Sequence, residues 1–178
     1  EPLLRPDICD IGRAIRRRHM AWSMVSNGYF YTEEMHARLM AAGLGALTIS
    51  LDGLEDEHEW MRGRQGSYER TINAIAIASK EKRINFDVVT CVNRRTINQL
   101  DAIKEHLLSL GCHEWRVFPI VPMGRAKQVD EFRLTGAEIR QVLEFIAGTR
   151  KEGLMKVNYA CEDYLAGYEG EVRDNLFS

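Results

Sequence analysis

A chain of 178 residues with 45% hydrophobic and 28% charged side chains has the composition of a globular protein, long enough to bury one substantial core. Its formal net charge of −2 excludes capture of nucleic acid by a broadly basic surface, and no apolar run reaches the roughly 18 residues that cross a bilayer. No signal peptide opens the chain, so the expected compartment is the cytoplasm, with neither nucleic acid nor membrane among the expected partners.

The first predicted element is a helix in "RPDICDIGRAIRRRHM", capped at Asp7, with Ile8, Ile11 and Ile15 on one stripe and arginines on the other. "WSMVS" reads as a short strand closed by the turn signal Asn27-Gly28. Thr32 is positioned to cap the helix "EEMHARLMAAG", and "ALTISL" supplies the next apolar strand. The acidic run Glu55 to Glu59 reads as a solvated loop, with Arg62 following in the same loop. Ser67 caps a helix in "YERTINAIAIASKEK", "INFDVVTCV" is a strand, and Thr96 opens a helix that stops at Gly111. "EWRVFPIV", 114–121, is the fourth strand, Thr135 begins another helix, and Lys156 to Ala160 forms a short fifth strand.

Strand and helix therefore alternate, which predicts parallel βα units, because parallel neighbours need a crossover helix. The strands look near-continuously apolar, as expected where helices cover both faces of a sheet. An open doubly wound sheet and part of a barrel both fit, and both place function at the carboxyl ends of the strands. Polar residues gather there: Ser26-Asn27-Gly28, then Ser50 and Asp52, then Asn93-Arg94-Arg95, then Pro122 to Arg125.

Cys9, Cys91, Cys112 and Cys161 form no CxxC or CxxxCxxC pattern, so they read as thiols in a reducing compartment. The histidines, His58 included, lie apart from any second ligand at metal spacing and read as surface or helix-end groups. Gly43-Leu44-Gly45 lies between a helix and a strand, the reverse of the order a dinucleotide fingerprint requires. Ser50, Asp52 and Arg62 leave two readings open. Ser50 fits a crowded strand end and Asp52-Gly53 a turn, but an arginine beside a glycine also suits a bidentate carboxylate contact.

Taken in order, "EPLL", "VSNGYF", "ISLDGLEDEHEWMRGRQGSYERTINAI" and "FPIVPMGRA" resemble the radical S-adenosylmethionine (radical SAM) superfamily, over residues 1 to 126. The resemblance is to its peptide- and protein-modifying branch, which includes the anaerobic sulfatase-maturating enzymes. It implies an α/β fold, a partial TIM-type (β/α)6 barrel of parallel strands, incomplete at the N-terminus. It also implies a [4Fe–4S] cluster and S-adenosylmethionine, cleaved to a 5′-deoxyadenosyl radical that abstracts a substrate hydrogen. The implied substrate is a peptide or protein, and the implied electron donor a flavodoxin or ferredoxin.

Carried over residue by residue, Glu1 and Pro2 resemble the end of the family's GGEP motif, which receives the methionyl ammonium. Ser50 resembles the serine that contacts S-adenosylmethionine, and Arg62 the arginine that steadies its carboxylate. Ser26 and Asn27 resemble the bordering turn, Asp52 its support, and Val121 the position that meets adenine. The family's cluster-binding CxxxCxxC is absent from the sequence, and in the family it precedes GGEP. The expectation is therefore a piece of a longer polypeptide, inactive alone, with a barrel core over 1–153. The tail over 154–178 would lead toward a cysteine-rich auxiliary-cluster (SPASM) domain. Alternatives within the superfamily are a glycyl-radical activase and a cofactor-biosynthesis enzyme acting on another substrate. Outside it stand an ordinary barrel lyase or aldolase and a non-catalytic decayed barrel.

Overall fold

A computed structural model of the chain describes residues 1–161 and 165–174. Five strands form one sheet in the order β1-β2-β3-β4-β5: Ser23–Ser26, Ala46–Ser50, Asn85–Val92, Glu114–Pro119 and Lys156–Tyr159. All four pairings are parallel, with Val25 opposite Thr48, Thr48 opposite Asp87, and Val89 opposite Arg116. A strand order that never reverses is the wall of a barrel; a doubly wound sheet turns back on itself at a switch point. The two architectures left open by periodicity are thus separated by topology.

Six α-helices are assigned among the described residues: α1 Ile8–Arg17, α2 Glu33–Ala41, α3 Glu55–Arg62, α4 Ser67–Ala78, α5 Leu100–Ser109 and α6 Gly136–Glu152. Thr32 accepts a hydrogen bond from the Met35 amide, as a cap should. Thr135 and Glu138 form a full capping box at α6. Asp7 precedes α1 but pairs with Arg5 instead of capping, and of the predicted stripe only Ile8 is buried.

Several expectations need correction. The acidic run is a helix, α3, because three carboxylates in its first turn favour the positive end of the helix dipole. Arg62 is the last residue of that helix and not a loop residue. Gly66 takes the N-cap of α4, leaving Ser67 in the first helical turn. A 3₁₀ turn, Ile97–Gln99, separates Thr96 from α5, and Thr96 instead accepts from the Asn93 amide. β4 ends at Pro119, short of Val121.

Among the described residues, helices cover one face of the sheet only. Met24, Leu47, Ile49, Val88, Val117 and Val157 are buried in the core, whereas Ser23, Val25, Asn85, Glu114 and Lys156 on the alternate positions are exposed. Right-handed crossovers wound in one sense place the helices on the same side, so the other face stays open. There Arg116, with its side chain 42% exposed, donates to Asp87 and to Thr48 Oγ1 (2.8 Å), tying β4 to β3 and β2. Beyond β5 the chain returns, and the Tyr159 amide donates to the Val172 carbonyl at 2.7 Å. Residues 162–164 and 175–178 of the predicted tail lie outside the described residues.

Candidate functional site

The carboxyl ends of β1 and β2 meet α3 and the first turn of the chain in a cleft of about 390 Å³, in the size range of small-molecule pockets. Glu1, Asn27, Arg62 and Ser67 supply its polar wall, and Leu4, Phe30 and Met61 its apolar wall.

Glu1 reaches the cleft because Pro2 opens a 3₁₀ turn, Pro2–Leu4, whose Leu3 amide donates back to the carboxylate. That carboxylate accepts from the Ser26 hydroxyl (2.8 Å), the Asn27 amide (2.8 Å) and the Leu3 amide (3.2 Å). Gly28 makes the turn possible. Its φ of +76° disfavours L side chains, and an added Cβ would lie 3.2 Å from the Thr71 backbone and 3.1 Å from Ala74.

Arg62 lines the same cleft from the end of α3. Its Nη2 lies 2.6 Å from Asp52 Oδ2, and the side chains are 28% and 1% exposed respectively. The Cys91 amide donates to the other Asp52 oxygen at 3.1 Å. Burial pushes the Asp52 carboxyl up, against the pull of Arg62 and of the Cys91 amide. Arg62 Nε and Ser67 Oγ are buried and lack a hydrogen-bond partner in the structure. Buried polar atoms of this kind are scarce in native proteins, and inside a cleft they suit a polar ligand.

His58 contradicts the expectation of a surface histidine: it is 0% exposed and lines the same cleft. Burial, then the Arg62 charge, holds its pKa down to about 4, so the ring is neutral. Its Nδ1 accepts from the Asp52 amide (3.2 Å), and its Nε2 faces Thr71 Oγ1 (3.4 Å). At the rim, the Tyr29 ring meets two guanidiniums, Arg64 at 3.9 Å and Arg70 at 4.5 Å from its centroid.

Of the residues singled out from sequence, Glu1, Asn27 and Arg62 line this cleft, while Ser26 and Asp52 hold two of them from behind. Pro2 shapes the turn and is not a lining residue. Ser50 ends β2 on the open-face alternation, outside the cleft lining, and Val121 is 56% exposed beyond the end of β4. Sequence reading missed His58, Met61, Ser67 and Thr71. His58 and Arg62 are four apart, so a helical reading of the acidic run would have put them on one side.

S-adenosylmethionine fits this donor set. A carboxylate suits its ammonium, a guanidinium its carboxylate, and the apolar wall its purine, with two polar atoms still unpartnered. An iron–sulfur cluster does not fit the described residues, among which no group of three His, Cys, Asp or Glu is placed to hold a metal. Burial and the Asp52 carboxylate push the Cys91 thiol up to about 12, so it stays protonated and is a poor ligand. A larger hollow, about 680 Å³, lies at the amino ends of β4 and β5, where Arg150 and Lys156 both already pair with Asp174. In barrels the opposite end carries function.

Comparison with known proteins gives a consistent picture. The family model described as the Radical SAM superfamily matches residues 1–107. An AdoMet-dependent heme synthase of Methanosarcina barkeri is 31% identical over 162 residues, covering 90% of this chain and 46% of the relative. The chain thus spans a little under half the length of that protein. SuiB of Streptococcus suis, solved bound to S-adenosylmethionine, has a TM-score of 0.73 at 13% identity, over 93% of this chain and 38% of that one. A domain of a pyruvate-formate lyase-activating enzyme from Bacteroides vulgatus has a TM-score of 0.67 at 18% identity, over 90% and 94%. At these identities the two structures bear on the fold alone. No helix among the described residues is long and apolar enough to cross a membrane.

Proposed function

The chain belongs to the radical SAM superfamily, whose members use S-adenosylmethionine and a [4Fe–4S] cluster, and we propose that the cleft between Glu1 and Arg62 is its S-adenosylmethionine site. The whole enzyme is an oxidoreductase that abstracts hydrogen from a peptide or protein, with a flavodoxin or ferredoxin as electron source. When bound beside a reduced cluster, S-adenosylmethionine supplies the radical chemistry; the residues of this chain bind and orient it.

The observation that carries this reading is a carboxylate and a guanidinium across one cleft, beside unpartnered Ser67 Oγ and Arg62 Nε. In this reading Glu1 takes the methionyl ammonium and Arg62 the carboxylate. Asp52 fixes the direction of Arg62, and Ser26 and Asn27 fix that of Glu1. Ser50 and Val121 enter the site only if the nucleoside crosses the strand ends toward the open face. A peptide as substrate is supported by the sequence likeness to a PqqA peptide cyclase of Rhizobium meliloti, 23% identical over 172 residues, 94% of this chain and 46% of the relative. The heme synthase relative supports a second reading, a cofactor-biosynthesis enzyme with another substrate.

Equilibrium dialysis with radiolabelled S-adenosylmethionine tests the site. Arg62→Ala is expected to weaken binding by about 10- to 100-fold, the range for losing a charged hydrogen-bonding partner. Equal retention by the wild type, Arg62→Ala and Glu1→Gln would remove the assignment.

A further inference from the structure

Glu1 and Arg62 come from distant parts of the sequence, yet one ligand requires them at a fixed separation. Neither touches the other among the contacts around the cleft. What joins them is a buried chain of hydrogen bonds. The Asp52 amide donates to His58 Nδ1 at 3.2 Å. With Nδ1 accepting, the ring proton sits on Nε2 and points at Thr71 Oγ1, 3.4 Å away. The Thr71 hydroxyl proton in turn goes to the Asn27 carbonyl at 2.9 Å. Both ends of this chain carry an anchor: the Asp52 carboxylate pairs with Arg62, and the Asn27 amide holds Glu1. His58 and Thr71 are both 0% exposed, so water does not compete for these bonds.

We infer that His58 and Thr71 are positioning residues, which hold the Arg62 side and the Glu1 side of the cleft in register for S-adenosylmethionine. The inference rests on the cleft being the site proposed above. It assigns neither residue a contact with the reacting atoms. The polarity of the chain runs one way, from the Asp52 amide to the Asn27 carbonyl, and needs the ring neutral. Burial and the neighbouring Arg62 charge both keep it so. The pair also crosses elements, since His58 lies on α3 and Thr71 on α4. A two-residue link therefore couples two helices and two strand-end turns.

The test is S-adenosylmethionine affinity by equilibrium dialysis for Thr71→Val, Thr71→Ser, His58→Leu, Arg62→Ala and Thr149→Val. Thr149 is a buried threonine of α6 and controls for loss of stability alone. Thr71→Val and His58→Leu are expected to bind about 5- to 10-fold more weakly, the scale of one lost buried hydrogen bond. Thr71→Ser, which restores the hydroxyl, should return to within about 2-fold of wild type, and Thr149→Val should match wild type. If Arg62→Ala binds weakly while Thr71→Val and His58→Leu bind normally, the cleft stands and this inference is wrong. A Thr71→Ser variant as weak as Thr71→Val also overturns it, because packing and not the hydroxyl would then be responsible. If Arg62→Ala itself binds normally, the premise fails and the inference with it.

Discussion

Two arginines of similar exposure, Arg62 at the carboxyl ends of the strands and Arg150 beside β5, show how differently the two regions use the same chemistry. Their side chains are 28% and 22% exposed. Arg150 has three partners, donating to the Val157 carbonyl, the Asn158 side chain and Asp174. Arg62 has one close partner, Asp52, and a buried Nε with none. Saturated arginines staple an edge; an arginine with spare valence beside a cleft is built for something that arrives. Two hydroxyls, Thr90 and Ser67, differ in the same way, although the Ser79 hydroxyl outside the cleft is also buried without a partner. Thr90 sits between the Trp115 indole and the Leu51 carbonyl, whereas Ser67 in the cleft has no partner.

The sharpest way to break this comparison is Asp52→Ala. It leaves Arg62 without its buried counter-charge and the Cys91 amide without an acceptor, and should lower stability by about 3–5 kcal/mol in urea unfolding. A loss below about 1 kcal/mol would place Asp52 among ordinary surface carboxylates.

Next in size is a pH effect. Burial holds the His58 pKa down to about 4 in the folded chain, below the roughly 6.5 of a free imidazole, so between these values the unfolded chain binds the extra proton. Stability should therefore fall as pH drops from 6.5 toward 4 and level off below, with His58 contributing up to roughly 2–3 kcal/mol. Carboxylates titrate in part of the same window, so the readout is the difference between wild type and His58→Asn at pH 7 and pH 4.5. An unchanged difference would show that the ring charges without penalty.

Gly28→Ala should cost about 1–2 kcal/mol for the left-handed backbone alone, and should loosen Glu1 by moving the turn off α4. Thermal unfolding together with ligand affinity separates the two effects. The smallest change is expected away from the cleft. Lys151 pairs with Glu171 on the surface, and Lys151→Ala should alter stability by less than about 1 kcal/mol and leave ligand affinity untouched.

The alternation of strands and helices was legible because parallel strands are short apolar runs and the capping residues Thr32 and Thr135 behave as their chemistry dictates. The single covered face was not. Val25 and Val89 on the open side are as apolar as Ile49 and Val88 beneath the helices, although polar residues such as Thr48, Asp87, Glu114 and Arg116 alternate on that side. The site was legible where a charged residue follows a strand, as at Asp52 and Arg62, or opens the chain, as at Glu1. His58 escaped notice because α3 hides its inward side: five of its eight residues are Glu, Asp or Arg, and the sequence looks like a solvated loop, whereas Thr71 lies in α4 with nothing in the sequence to mark it. Ser50 and Val121, taken from family resemblance, lie outside the cleft where Glu1 meets Arg62.

A crystal structure of the chain grown with S-adenosylmethionine tests the central claim most directly. The account predicts the methionyl carboxylate on Arg62 and the ammonium beside Glu1, with Ser67 Oγ or Arg62 Nε newly hydrogen-bonded. Ligand density lying elsewhere, with the Asp52–Arg62 and Glu1–Ser26 contacts unchanged and the cleft holding only water, would contradict it.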